Sequence, residues 1–184
     1  MIINEAFKGK TLVITGGTGS FGSTVLKHFL TSDIAEIRII SRDEKKQDMM
    51  RHILQANYPD YASKVQFYVG DVRNIDSVRD VMYGANYVFH AAALKEVPSC
   101  EFFPMEAVRT NVIGADNLLH AAMRFEVRRV VCMSMDKAVG PVGAMGASKR
   151  MMEYVMRSYA RTASLKKKTV ITNIRQSNAI GSGG

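Results

Sequence analysis

The sequence has no apolar run of the roughly 20 residues that a membrane-spanning helix needs, and its first ten residues lack an apolar signal-peptide core. These two absences predict a cytoplasmic protein. Only two cysteines, Cys100 and Cys132, are present. Because they lie far apart, we expect reduced thiols and not a disulfide. Cys132 lies within an apolar strand pattern, which predicts a small buried side chain.

No repeat, low-complexity segment or internal linker divides the 184 residues, and a chain of that length can bury one substantial core. The net charge of +8 is a surplus that can indicate nucleic-acid binding. However, the one dense basic cluster, at residues 166–168, has no aromatic residues interleaved with it. A solvated loop explains that cluster better, and attraction of an anionic nucleotide-linked substrate is the intermediate interpretation. We therefore predict no nucleic-acid partner, no membrane partner and no metal site.

Apolar strand patterns alternate with amphipathic helical patterns along the whole chain. The predicted strands are residues 11–14, 36–40, 65–69, 87–90, 130–133 and 169–174. The predicted helices are residues 25–30, 44–57, 75–82, 104–125 and 147–160. This order predicts an α/β fold, a Rossmann-like doubly wound parallel sheet with helices on both faces, over residues 1–184.

A glycine-rich segment, residues 15–22, lies between the first strand and the first helix. That context is typical of a dinucleotide-binding loop, whose glycines allow a tight turn and close approach of backbone N–H groups to a pyrophosphate. The helix N-terminus adds unpaired donors and the positive end of its dipole. An ordinary glycine-rich turn is the alternative. The predicted cofactor-binding residues of this loop are Thr15, Gly16, Gly19, Ser20, Phe21 and Gly22.

The residues after the second strand bear on which cofactor binds. A carboxylate at this position accepts from the ribose 2′-OH of NAD, but here Ser41 and Arg42 come first. A hydroxyl and a guanidinium suit a 2′-phosphate, so we predict NADP, bound with the help of Asp43 and Lys46. The alternative is that Arg42 is a surface charge and Asp43 takes the ribose.

Two further strand ends are predicted to contact the cofactor. Asp71 can reach an adenine with its side chain, and Val72 can reach it with its backbone. After the fourth strand, small residues let the backbone come close to a cofactor. These residues are Ala91, Ala92 and Ala93.

Five motifs together resemble those of an extended short-chain dehydrogenase/reductase. They are residues 15–22, 41–44, 90–95, 136–137 and 145–149. More narrowly, the chain resembles the C5-inverting UDP-N-acetylglucosamine 4,6-dehydratases of capsule-type polysaccharide biosynthesis. The resemblance covers nearly all 184 residues, and members of that family continue into a substrate domain. It therefore implies a C-terminally truncated chain from which most of that domain is absent.

The resemblance implies an internal redox cycle on a UDP-sugar with NADP: oxidation at C4, loss of water across C5 and C6, and reduction at C6. It assigns Asp136 as the acid toward the C6 oxygen and Lys137 as the base at C5. Lys137 can act as a base only if burial or a neighbouring cation leaves it partly neutral. Lys149 would hold the nicotinamide ribose and assist the C4 oxidation. The alternatives are a surface ion pair or cap for Asp136 and Lys137, and an ordinary helical lysine for Lys149.

The tyrosine that the wider superfamily places four residues before its lysine is Met145 here. A thioether cannot accept the C4 hydroxyl proton, so Lys137, Asp136 and a water held by Ser134 remain open as the C4 base. Lys95 and Asn111 would lie near the site or, equally well, face solvent. The predicted substrate-binding residues are Lys95, Met135, Asp136, Lys137, Met145 and Asn178. The remaining predicted cofactor contacts are Lys95, Asn111, Ser134 and Lys149.

Two other functions stay open beside the dehydratase. One is a truncated NADP-binding module without turnover, and the other is a UDP-sugar 4-epimerase, which the loss of the tyrosine disfavours. The resemblance also implies a homo-oligomer formed through the helices near 104–125 and 147–160. Its adaptable apolar surface would be made by Met123, Met151, Met152 and Met156, with ordinary core packing as the alternative.

Overall fold

The computed structural model describes residues 2–166 and 168–177. In these residues six strands form one parallel sheet in the order β3-β2-β1-β4-β5-β6. The strands are β1 Thr11–Thr15, β2 Glu36–Ser41, β3 Val65–Val69, β4 Tyr87–His90, β5 Arg129–Met135 and β6 Val170–Gln176. The α/β fold class predicted from the alternating patterns is therefore confirmed.

Helices connect and cover the strands. They are α1 Ile2–Phe7, α2 Ser20–Leu30, α3 Glu44–Asn57, α4 Pro59–Ala62, α5 Ile75–Met82, α6 Val97–Phe102, α7 Pro104–Ala107, α8 Gly114–Arg124 and α9 Ala144–Lys166. A π-helical stretch, Val108–Ile113, joins α7 to α8, and a 3₁₀ turn, Asp136–Ala138, follows β5. Among the described residues no helix is long and apolar enough to cross a membrane.

The sheet is buried on both faces, which explains its near-continuous apolar strands. On β1, Leu12 and Ile14 pack against one layer and Val13 against the other, because successive side chains point to opposite faces. The first layer receives apolar side chains from α2 and α3, and the second receives them from α5, α8 and α9. Both cysteines are buried and unbridged, as predicted for Cys132.

Helix boundaries agree with the sequence patterns where local signals set them, as in α3 and α5. Helix α9 begins earlier than predicted, at Ala144, whose backbone N–H donates to the distant Glu101 carboxylate at 2.7 Å. The helix predicted at 104–125 contains the π-helical stretch in its middle. That the chain forms a single domain over 1–184 stays a prediction.

Two of the four methionines assigned to an oligomer surface lie in the core. Met152 and Met156 are buried against the sheet together with residues of α8. For these two methionines the alternative, ordinary core packing, is therefore correct. Met151 is exposed and Met123 is half-buried. The predicted apolar surface therefore rests on Met151 and the exposed residues around it.

Candidate functional site

All strands are parallel, so their carboxyl ends share one edge of the sheet, where open α/β folds bind ligands. The loops predicted to form the site follow β1, β2, β3, β4 and β5 at that edge. Asn178, a predicted substrate contact, lies outside the described residues.

The glycine loop after β1 is packed too tightly for side chains. A Cβ on Gly16, whose φ is +65°, would lie 2.7 Å from the Ala92 nitrogen. A Cβ on Gly22 would lie 2.5 Å from the Gly16 carbonyl oxygen. Gly19 is the N-cap of α2 and carries no side chain that could accept from the first helical turn. The loop is therefore compact, and its helix N-terminus offers backbone donors.

Thr15 is enclosed beneath this loop. Its Oγ1 lies 2.7 Å from His90 Nδ1 and accepts from the Ala92 backbone N–H at 3.3 Å. Burial lowers the pKa of His90 to about 3, with a further contribution from the charge of Lys149, so the imidazole is neutral. Thr15 thus links β1 to β4 within the protein interior. The spacing of residues along the sequence did not predict this contact.

The glycine loop and the start of α2 contact two other strands. Ser20 is exposed, and the Phe21 ring stacks on Phe89 of β4, with 5.4 Å between the ring centroids. Thr18 Oγ1 lies 2.8 Å from Ser41 Oγ. The glycine loop and the end of β2 therefore meet at Ser41, one of the residues predicted to hold a 2′-phosphate.

The charged residues after β2 and β3 lie together. Arg42 Nη1 is 3.8 Å from Asp71 Oδ2. The Asp43 carboxylate caps α3 by accepting from the Lys46 backbone N–H at 2.9 Å, and the Lys46 ammonium lies 3.6 Å from Asp43 Oδ2. Val72 is buried, and its carbonyl accepts from the Asn117 amide at 3.0 Å.

Gln47 is a functional candidate that the sequence patterns missed. It lies on the buried face of α3, and its Nε2 donates to the carbonyls of Ser41 at 3.0 Å and Tyr68 at 2.7 Å. The side chain therefore clamps the carboxyl ends of β2 and β3. The one local sign of this role is that Gln47, a polar residue, lies on the same helix face as the buried Leu54.

A cleft of about 680 Å³ opens between the loop after β5 and the start of α9. Asp136, Lys137 and Met145 line it together with Glu101, and Val97, Val139 and Val142 add apolar surface. Both Asp136 and Lys137 are exposed, and Asp136 Oδ1 accepts from the Lys137 backbone N–H at 2.8 Å. Lys137 is therefore not buried, which leaves a neighbouring cation as the condition for its role as a base, and the buried lysine of this region is Lys149.

Lys149 lies on the buried face of α9, one turn after the buried Met145, as their spacing predicts. It is 4% exposed, and its ammonium donates to the Met133 carbonyl of β5 at 3.1 Å. Burial lowers its pKa to about 8, against smaller opposing effects of Cys132, Cys100 and Glu153. The lysine of this region whose environment favours its neutral form is therefore Lys149.

Ser134 of β5 and Glu153 of α9 form a buried pair. Ser134 Oγ donates to Glu153 Oε1 at 2.7 Å, and Arg175 of β6 donates to both carboxylate oxygens at 2.9 and 2.7 Å. Hydrogen bonds from Arg175 outweigh burial and lower the pKa of Glu153 to about 2. The Ser134 hydroxyl, predicted to face the cofactor, thus donates to Glu153. The sequence patterns missed Glu153, although a carboxylate on an apolar helix face is a signal of a buried polar contact.

Asn111 is buried in the π-helical stretch and does not face solvent. Its Oδ1 accepts from the Leu94 N–H at 2.8 Å, and its Nδ2 donates to the Leu94 carbonyl and to Ser148 Oγ, each at 2.9 Å. Ser148 in turn donates to the Met145 carbonyl at 2.7 Å. Asn111 therefore anchors the loop after β4 to α9, while the neighbouring Lys95 is exposed beside Glu96.

The small residues after β4 lie against the glycine loop. Ala91, Ala92 and Ala93 are all half-buried, and the first two form the backbone wall that Gly16 approaches. Met135, at the end of β5, packs partly buried against the cluster of Cys100, Ala107 and Met145. Among the described residues no group of three His, Cys, Asp or Glu side chains is arranged to hold a metal ion.

Comparison with known proteins gives one family and a consistent fold. The model of the family described as "Polysaccharide biosynthesis protein" matches residues 12–184. The chain is 53% identical over 182 residues to the UDP-glucose 4-epimerase of Rickettsia typhi, a match that covers 97% of this chain and 51% of that protein. The UDP-glucose 4-epimerase of Rickettsia felis is 54% identical over the same length. The chain thus spans about half the length of the curated relatives it matches.

Solved structures are similar over the same half. The X-ray structure of Pen from Bacillus thuringiensis has a TM-score of 0.90 and 34% sequence identity, covering 97% of this chain and 53% of that one. The dTDP-glucose 4,6-dehydratase DesIV from Streptomyces venezuelae, solved with NAD bound, has a TM-score of 0.73 and 24% identity, covering 89% of this chain and 55% of that one. At 24% identity, the similarity to DesIV supports the fold alone.

Proposed function

Because the chain belongs to the polysaccharide biosynthesis protein family, we propose that it carries the cofactor site and catalytic pair of an NADP-dependent UDP-N-acetylglucosamine 4,6-dehydratase. The observation that carries this proposal is the cleft after β5. It presents an acid, Asp136, and an amine, Lys137, beside Met145. Met145 stands where the wider superfamily has a tyrosine that takes the C4 hydroxyl proton, and a thioether cannot do so. The pair suits proton transfer at two adjacent carbons.

The described residues fit a dinucleotide. The Gly16–Gly22 packing closes the loop so that a pyrophosphate would lie against backbone N–H groups at the start of α2. Ser41 and Arg42, next to Thr18, would hold a 2′-phosphate. When bound, the nicotinamide would supply the oxidation at C4 and the reduction at C6.

The chain's own residues would move the protons. Asp136 in its protonated form would protonate the departing C6 hydroxyl, and Lys137 in its neutral form would remove the C5 proton made acidic by a C4 ketone, so that one water leaves. Inversion of C5 requires that a proton return from the opposite face of the sugar, and solvent water in the open cleft would supply it, because Lys137 would lie on the first face. Met145 leaves the C4 hydroxyl proton to Asp136 or Lys137, and the positive charge of Lys149, held at the Met133 carbonyl of β5, would assist the C4 oxidation electrostatically.

A UDP-sugar 4-epimerase is the second candidate, favoured by the similarity to the UDP-glucose 4-epimerases of two Rickettsia species at 53% and 54% identity. An epimerase inverts C4 and leaves the sugar's composition unchanged. The two reactions therefore differ in whether water is lost.

The test is incubation of the protein with NADP⁺ and UDP-N-acetylglucosamine in deuterated water, followed by mass spectrometry and NMR of the sugar. We expect a 4-keto-6-deoxy product that lacks one water and carries one deuterium at C5. Lys137→Met and Asp136→Asn should each lower the rate by about 100-fold or more, because each removes one proton-transfer group. Asp60→Asn, an exposed carboxylate on α4, is the matched control.

An epimer of unchanged mass with no deuterium at C5 would replace the dehydratase by the epimerase. Cofactor binding without any product would favour the binding module.

A further inference from the structure

Five charged residues form an alternating chain along the carboxyl edge beside β2 and β3. They are, in order, Arg42, Asp71, Arg73, Glu106 and Arg109. Arg73 lies at the centre, with its Nη1 2.6 Å from Glu106 Oε2 and its Nη2 2.6 Å from Asp71 Oδ2. Arg109 Nη1 closes the chain at 2.6 Å from Glu106 Oε1. Two carboxylates thus share three guanidinium groups.

Asp71 is held unequally by its two cationic neighbours. Arg73 gives it two hydrogen bonds, from its Nε at 2.7 Å and its backbone N–H at 2.9 Å, and places its Nη2 in an ion pair 2.6 Å from Oδ2. Arg42 reaches the same carboxylate only at 3.8 Å and is 58% exposed. Burial alone would raise the pKa of Asp71, but the hydrogen bonds from Arg73 outweigh it and the pKa is lowered.

We propose that Arg73 is a positioning residue that sets the preference for a 2′-phosphate, by engaging the Asp71 carboxylate and leaving the guanidinium of Arg42 available. This inference rests on the proposed NADP site at Ser41 and Arg42. Arg73 is also held by Glu106, so its guanidinium cannot turn away from Asp71 without breaking that second ion pair.

The charge balance explains why loss of Arg73 would matter to one cofactor and not the other. Without it, the nearest cation to Asp71 is Arg42, which the bare carboxylate would draw toward itself. A guanidinium drawn to Asp71 would neutralise less of the 2′-phosphate, and the negative charge that remains on the carboxylate would repel that phosphate. The uncharged 2′-OH of NAD meets neither penalty, so the ratio of the two affinities is the diagnostic quantity.

The experiment measures the dissociation constants of NADP⁺ and NAD⁺ by titration calorimetry for the wild type and Arg73→Met. We expect the preference for NADP⁺ to fall by at least about tenfold in Arg73→Met, mostly through weaker NADP⁺ binding. Arg109→Met is the control, because Arg109 belongs to the same chain of charges and, among the described residues, its guanidinium pairs with Glu106 and not with Asp71. It should leave the ratio unchanged.

A second variant separates positioning from simple damage to the fold. In Arg73→Met with Asp71→Asn, no carboxylate remains to capture Arg42, so the NADP⁺ preference should return even if both affinities are lower. An equal loss of both cofactors in Arg73→Met, or no recovery of the ratio in the double variant, would overturn this inference and leave the proposed function standing. A wild type that binds neither cofactor would instead overturn the proposed function.

Discussion

Lys149 is the residue whose burial has the clearest energetic consequence. Its ammonium donates to the Met133 carbonyl at 3.1 Å and, more weakly, to the Met152 thioether at 4.0 Å, and it lies near the thiols of Cys100 and Cys132. A buried ammonium with so little compensation disfavours the folded state. Such a cost at one position is common where a function needs the charged group.

We expect Lys149→Met to raise the free energy of unfolding at pH 7 and to lose that advantage by pH 10. The folded pKa of about 8 lies below the ordinary 10.5, so between these values the unfolded state binds more protons and wild-type stability rises with pH. The rise is at most about 3 kcal/mol. Urea unfolding at both pH values measures it.

Lys137→Met is the control for that comparison, because Lys137 is exposed in the same region. Its stability should follow that of the wild type at both pH values. A Lys149→Met difference that is the same at pH 7 and pH 10 would contradict the expectation.

Spacing along the sequence located most of the site but not the direction of each side chain. The shared face of Met145 and Lys149 follows from helical periodicity and was predicted. Thr15, by contrast, was assigned to the cofactor, yet its partner His90 is 75 residues away. Only the pairing of β1 with β4 brings the two together, and no local pattern encodes that pairing.

At the level of elements, Glu153 connects α9 to two strands. Its carboxylate receives hydrogen bonds from Ser134 of β5 and Arg175 of β6, and it is 2% exposed. The edge strand β6 is therefore held to the helix that carries Lys149 by a charged pair as well as by the sheet. Removal of the carboxylate would leave the Ser134 hydroxyl without its acceptor.

We expect Glu153→Gln to lower the free energy of unfolding at pH 7 by about 1–3 kcal/mol, because hydrogen bonds to a buried charged group are lost. The folded pKa of about 2 lies below the ordinary 4.5, so this stabilisation is present above pH 4.5 and is lost as the pH falls toward 2. Denaturant unfolding at pH 7 and pH 3 would show the difference shrinking.

The surface pair of Glu126 and Lys168 provides the comparison. Glu126→Gln should change stability by less than about 1 kcal/mol at either pH, since exposed ion pairs contribute little. A Glu153→Gln effect as small as that of Glu126→Gln would show that the buried pair has no special role.

Hydrophobic periodicity predicted every strand and the principal helices, because these elements are buried on a regular face. It missed the short helices α1, α4 and α6, which are too brief for a periodic pattern. It also missed the π-helical stretch, Val108–Ile113. That stretch widens the helix where Asn111 turns toward Leu94, a long-range contact that composition does not reveal.

Across the whole molecule, the helices on one side of the sheet carry exposed apolar residues. Met105, Ile113, Met151 and Tyr154 are each between 45% and 57% exposed. These residues lie in or beside the two helices through which the family resemblance implies assembly. An adaptable methionine surface is a common feature of such contacts.

We expect Met151→Glu to weaken self-association, because a carboxylate would be buried in an apolar contact. Sedimentation equilibrium at micromolar concentration measures this, and the wild type should be larger than a monomer. Met49→Glu is the matched control, since Met49 is equally exposed, at 55%, but lies on α3. A monomeric wild type would exclude this interface.

The strand order also bears on how the chain folds as it is synthesised. β2 pairs with β1 and β3 then adds to β2, all within residues 11–69. β4 next adds to the free side of β1, and β5 and β6 follow outward in turn. Each strand joins an existing edge, and none has to insert between two strands already paired. The slow non-local step is then the closure of β4 onto β1, so a growing chain can complete the sheet in the order in which it leaves the ribosome.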